Sequence, residues 1–220
     1  MLSVLQHHLL FPIRVRSVEA FLRRPQLELY DLERDPDETV NRIGDAPAHD
    51  ADKRTLLRRV TFDLTGLPPT PQEVEDFLKD ESDQAWQKVV DRLLDSPGYG
   101  VRWGRHWLDV ARFAESQGYE RDKPRDDAWP YRDWVIRAFN SDIAYGDFVR
   151  NQVAGDLLTV GNGGDVAATG FLVAGPYDEA GNGANNAVVR LKAREDELED
   201  MVGTMGQAFL GLTVHCSRCH

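Results

Sequence analysis

The chain has 220 residues, 41% of them hydrophobic, which is enough for one sizeable domain or a domain with an appendage and excludes disorder throughout. Its 26 Lys and Arg stand against 37 Asp and Glu, and the formal charge of −11 argues against nucleic acid, whose phosphates would be repelled. No run of about 18 apolar residues occurs, so no membrane-spanning helix is expected, and the start, "MLSVLQHHLLFPIRVRS", breaks its apolar stretch with two His and offers no small-residue cleavage site of a secretory signal.

Residues 1–48 read as an irregular N-terminal segment, polar and punctuated by Pro25, Pro36, Gly44 and Pro47, with a domain boundary after residue 48. Residues 49–220 read as a helical domain, and the chain as a whole as mainly α: a multi-helix orthogonal bundle with long Gly/Asn-rich loops. Leu56, Leu57, Val60 and Leu64 recur at helical spacing before Gly66 and Pro68 stop the pattern. "TPQEVEDFLKD" then sets Thr70 as an N-cap, Pro71 at the first helical position and Glu73 as the partner of a capping box. The following helix is expected to be capped by Ser82 and to bury Trp86, Val89, Val90, Leu93 and Leu94.

The segment "YGVRWGRHWLDVARFAES" predicts an aromatic helix whose buried face carries Trp103, Trp107, Val110, Ala111 and Ala114. His106 and Asp109 lie on an adjoining face with Arg102 and Phe113 one turn away. They admit two readings, an iron ligand or acid–base pair, and a half-buried His oriented by a carboxylate. "SQGYERDKPRDDAW" is a polar loop, functional or merely solvated. A helix beginning at Pro130 should bury Tyr131, Trp134, Val135 and Ala138. The Gly- and Asn-rich stretch from Val153 contains no phosphate-binding pattern and reads as loop around one short helix near Ala167–Leu172. The final segment reads as one long helix, charged in its first half and apolar through Val202, Met205, Phe209 and Leu212 in its second.

The only cysteines, Cys216 and Cys219, are followed at once by His220. A thioredoxin-like redox pair would sit between a strand and a helix, whereas this one follows a long helical stretch, and a zinc site would need a further ligand from a distant His or carboxylate. Covalent haem needs two thiols for the vinyl groups and an imidazole beside them for the iron, and the three residues stand in that order. No catalytic set is assigned: neither His106 with Asp109 nor Asp133 with Asp142 has a spacing that chemistry demands.

The blocks "RRVTFDLTGLPPTPQEVEDFL", "VDRLLDSPGYGVRWGRHWLDVARFAESQGYERD", "WPYRDWVIRAFN", "QVAGDLL", "ATGFL" and "GLTVHCSRCH" resemble, in order and spacing over residues 50–220, the second family of planctomycete-specific cytochrome-c-like domains. The resemblance implies a domain of unknown function from large secreted or periplasmic proteins, with haem c attached covalently through Cys216 and Cys219 and its iron bound on the proximal side by His220. It further implies electron transfer, a redox partner, and a C-terminal partner domain beyond the Asp-His-Lys stretch with which family members continue, so that this chain resembles a fragment cut at the motif. The alternative is a non-haem helical binding or scaffold module associated with polysaccharide degradation, its Cys pair a disulfide or metal site. Distal ligands to the iron could come in principle from His215, Met201, Met205 or His106, with His215 expected to point away. No oligomeric state is legible.

A second resemblance concerns "PQLELYDLERDPDETVNRIGD", which is similar to the C-terminal tail of type I sulfatases. The sulfatase pattern of Cys or Ser followed by x-Pro-x-Arg is absent, so no sulfatase site is implied. Residues 1–48 are expected to be a remnant joined to the helical domain.

Overall fold

The structure, a computed structural model, describes residues 53–158 and 165–215. The N-terminal segment, its boundary at residue 48, the sulfatase-like tail, and Cys216, Cys219 and His220 lie outside the described residues. These residues are mainly α-helical; among them the one extended pairing is an isolated bridge between Ser116 and Pro124. They form two compact units divided between Tyr99 and Gly100.

The first unit holds α1 (Lys53–Thr65), α2 (Pro71–Lys79) and α3 (Ala85–Leu94). Leu57, Val60 and Leu64 are buried as their spacing predicts, while Leu56, at the edge of that stripe, is 39% exposed. Gly66, at φ 74°, closes α1 in a left-handed conformation that a side chain would disfavour. The capping box forms as expected: Glu73 N–H donates to the Thr70 hydroxyl, and Thr70 N–H donates to Glu73 Oε2 at 2.7 Å.

Two expectations fail at α3. Its N-cap is Gln84, with no side-chain capping bond; the Ser82 hydroxyl instead accepts from Lys88 Nζ at 3.1 Å, and Ser82 N–H donates to Asp80 Oδ1 at 2.9 Å. Trp86 is half-buried, its ring 6.1 Å from Phe77, whereas Val89, Val90, Leu93 and Leu94 are buried.

The second unit contains most of α4 (Pro97–Val110), then α5 (Trp129–Asn140), α6 (Tyr145–Ala154), a 3-10 helix (Val166–Phe171), the short α7 (Glu179–Asn182) and α8 (Ala187–Met205). Among the large apolar side chains of α6, Phe148 alone is buried. Helix α4 approaches α5 through Gly100, whose N–H donates to Asn140 Oδ1 at 2.9 Å; a β-carbon there would lie 2.5 Å from the Ile136 carbonyl oxygen.

Helix α4 stops four residues short of Ala114. Arg112 N–H donates to Asp109 O and Phe113 N–H to Leu108 O, the paired bonds of a Schellman ending, with Arg112 in the left-handed conformation at φ 55° where glycine is usual. Trp107 and Ala111 are buried, Trp103 and Val110 partly, and Ala114, beyond the ending, is exposed. Asp142 takes the same role after α5, at φ 51°.

The core of this unit is aromatic. Phe148 meets Trp107 edge-on at 4.8 Å and stacks with Trp134 at 5.3 Å, and Phe171 and Phe209 close over Trp107 at 6.2 and 5.7 Å. Its polar centre is fully paired: Trp107 Nε1–H donates to Gln152 Oε1 at 2.7 Å and to the Tyr131 hydroxyl at 3.0 Å, Tyr131 O–H donates to Gln152 Oε1 at 2.8 Å, and Gln152 Nε2–H donates to Phe148 O. Burial drives the Tyr131 phenol well above its ordinary range, against the opposing bond from Trp107.

Candidate functional site

The approach to the cysteine motif is built at the end of α8. The helix runs into one wider turn, Gly206–Leu210, and reverses at Gly211, which has φ 66° and donates to Gln207 O. Leu212 N–H returns to Gly206 O at 3.0 Å. The chain then lies back on the helix it has left: Val214 sits beside Gly206, where a β-carbon would come within 2.9 Å of its Cγ2, and the His215 ring fills the space beside Gly203. Two glycines three residues apart thus form the groove that holds the residues before Cys216. The His215 Nδ1 atom is buried without a hydrogen-bond partner among the described residues.

This arrangement revises the reading of the last helix. Phe209 and Met205 pack against the aromatic core as expected, but Val202 and Leu212 are 57% and 54% exposed. The helix buries Ala193, Gly203 and Thr204 instead, small residues that let other segments come close.

The four side chains considered as distal iron ligands occupy different surroundings. Met201 lines a cleft, Met205 joins the aromatic core, His215 packs on Gly203, and His106 lies on the outer side of α4 with its ring 5.5 Å from Trp103. Partial burial and the Arg102 charge hold the His106 imidazole below its ordinary value, against the opposing pull of Asp109. Among the described residues no group of three His, Cys, Asp or Glu could hold a metal ion. The proposed haem ligands themselves lie outside the described residues.

The second feature is a cleft of about 940 Å³, walled by the loop Arg125–Ala128, Tyr131, the 3-10 helix and residues 173–177, with Arg194, Glu197, Asp200 and Met201 of α8 on the other side. Arg125 fixes one wall. It donates through Nη1 to Val173 O at 3.1 Å and through Nη2 to Gly175 O at 2.7 Å, a fork binding carbonyls where no carboxylate is engaged. Burial lowers its basicity, though a guanidinium stays charged. On the opposite wall, Asp200 receives both arms of Arg112, Nη1 at 2.6 Å and Nη2 at 2.5 Å, and Arg112 also binds the Thr204 hydroxyl. Glu197 is held by Arg194 at 2.9 Å and by Asn182 at 2.5 Å. Asp126, Asp127 and Asp156 are exposed on the rim, which is therefore acidic.

The polar loop 116–129 is anchored rather than merely solvated. Lys123 pairs with Glu179 at 2.5 Å, Arg121 approaches the same carboxylate at 3.6 Å, and Gln117 binds both Lys123 and Tyr177 through its backbone. Sequence reasoning missed the cleft because its parts come from five separate stretches with no common period. The one available signal was Arg112, a charged residue at a helix end where glycine is preferred. The acid–base pairs left unassigned stay so: Asp133 binds Arg132 Nε at 3.0 Å, and Asp142 ends α5.

Among the described residues no helix is long and apolar enough to cross a membrane. No curated protein and no solved structure matches the chain. The model of one family, PSCyt2, described as a protein of unknown function (DUF1549), matches residues 37–220, and the chain belongs to that family.

Proposed function

We propose that the chain is a c-type haem-binding domain that passes electrons within a secreted or periplasmic protein. The observation that carries this reading is the order Cys216, Cys219, His220 at the end of a segment seated in a glycine groove. The donor chemistry fits: two thiols to form thioethers and an adjacent imidazole for the proximal iron position. The groove fits as well, since Gly203 and Gly206 hold the residues that lead into the motif, and His215, turned onto Gly203, leaves His220 as the motif's own ligand. When bound, haem supplies a one-electron couple tuned by its axial ligands and burial. The protein's share is to fix the residues that lead into the motif, through Gly203 and Gly206. Covalent haem and disulfides both belong to compartments outside the cytoplasm, which supports the localisation.

The acidic cleft favours a second reading, a non-haem binding or scaffold module whose cysteines form a disulfide or metal site.

The test is an intact mass and a pyridine haemochrome spectrum on protein made with periplasmic c-type maturation and extended past His220 with the family's following stretch. A mass gain of one haem that disappears in Cys216→Ala/Cys219→Ala is the expected result. A folded helical protein of unmodified mass overturns the haem reading in favour of the module.

A further inference from the structure

Helix α8 has an inner side that packs on the protein and an outer apolar side. Its inner side carries Ala193 and Thr204, both buried, together with Glu197 and Asp200, which bind neighbouring elements. At about 100° per residue, the side diametrically opposite carries Val188, Leu191, Leu198 and Val202, which are 73%, 61%, 46% and 57% exposed. Their spacing of three and four residues, with Glu195 in the intervening position, is that of a helix–helix seam. A helix face turned to water is normally polar, so an apolar stripe of this length is a candidate contact surface.

The charges on α8 say which partner. The half before Glu195 carries Arg190, Lys192 and Arg194; the half from Glu195 onward carries Glu195, Asp196, Glu197, Glu199 and Asp200. A helix basic in one half and acidic in the other complements itself when reversed. In an antiparallel pair with a seam register, Leu191 of one copy faces Val202 of the other, and Lys192 lies against Glu199 of the other, twice by symmetry. Lys192 already binds Asp196 at 2.5 Å, and an ammonium has donors for a second carboxylate. A parallel pair would instead set Glu195 against its own copy in the seam, whereas the antiparallel pair sets it beside Leu198.

We propose that the outer face of α8 is a self-association surface, through which two copies of this chain form an antiparallel two-fold dimer. The proposal is independent of haem attachment. Sedimentation velocity and light scattering, in reductant and on Cys216→Ala/Cys219→Ala protein to remove intermolecular disulfides, should show a dimer that dissociates on dilution. Leu191→Lys/Leu198→Lys should be monomeric with unchanged circular dichroism. Lys192→Glu and Glu199→Lys should each weaken the dimer tenfold or more, and the double exchange Lys192→Glu/Glu199→Lys should restore it. A monomer at every concentration, or a dimer indifferent to Leu191→Lys/Leu198→Lys, overturns the proposal. A dimer abolished by the lysines but not rescued by the double exchange overturns the antiparallel arrangement.

Discussion

The imidazole of His215 stands where a β-carbon on Gly203 would have to go: such an atom would lie 2.5 Å from Nδ1 and closer still to Cε1 and Nε2. The residue before the cysteine motif is therefore held by the absence of a side chain on the helix it returns to. Gly203 is a poor helix former, and its place inside α8 is explained by this contact.

Gly203→Ala tests the relationship directly. Helix propensity alone would favour Ala by about 1 kcal/mol, whereas crowding a packed site costs about 1–3 kcal/mol. The expected net effect is a loss of stability in urea unfolding. In a His215→Ala background the crowding is gone, and Gly203→Ala should become neutral or stabilising. Additive effects in the two backgrounds would show that the ring does not rest on Gly203.

The buried Gln152 accepts from both Trp107 and Tyr131. Gln152→Leu leaves the Tyr131 O–H without its acceptor and Trp107 with only the Tyr131 hydroxyl, so it should cost toward the upper end of the about 1–3 kcal/mol of a buried unsatisfied group. Tyr131→Phe removes one donor and leaves the Trp107–Gln152 bond, so its cost should be nearer 1 kcal/mol. Denaturant unfolding of the two variants should reproduce this ranking; equal losses would contradict it.

Arg112 occupies a left-handed position to reach Asp200 and Thr204. Both Arg112→Ala and Arg112→Gly lose those bonds, but only Ala keeps the cost of a β-carbon in that conformation, about 1 kcal/mol. Arg112→Gly should therefore melt at a higher temperature than Arg112→Ala. The reverse order would mean that the Schellman ending does not hold in solution.

The His106 imidazole should titrate below its ordinary value of 6.5, because burial and Arg102 both disfavour its charge. A base whose folded pKa is depressed binds fewer protons folded than unfolded near neutrality, so its contribution to stability is present above 6.5 and is lost as pH falls through the folded value. In an NMR titration, Arg102→Gln should raise the midpoint and Asp109→Asn should lower it further. A midpoint unmoved by either change would remove the electrostatic account.

The carboxylates of the first unit behave in the same direction at lower pH. Burial pushes Glu73 up, but the Thr70 backbone and hydroxyl bonds and Arg92 outweigh it and hold the carboxyl below its ordinary value. Its stabilising effect is present above the unfolded value of about 4.5 and is lost as pH falls through the folded one. Thermal melts from pH 6 to pH 3 should fall less steeply in Glu73→Gln, which preserves a capping side chain but cannot titrate.

What the sequence determined by itself was local. Thr70, Pro71 and Glu73 wrote a helix start that needs only neighbours within one turn, and the stripes Leu57–Val60–Leu64 and Tyr131–Trp134–Val135–Ala138 declared their buried sides because helical period and burial coincide there. The mainly α class was legible for the same reason, and the family by the resemblance of its blocks in order and spacing. Tertiary structure decided whatever depends on partners distant in the chain. Helix α4 ends at Val110 because Arg112 turns to bind a residue 88 positions away, and Ser82 gives its hydroxyl to Lys88 instead of capping α3. The outer stripe of α8 had the look of a core, yet Val202 is exposed, because small residues on the other side admit the closer contact. Periodicity reports that a face is apolar; only packing settles whether it is covered.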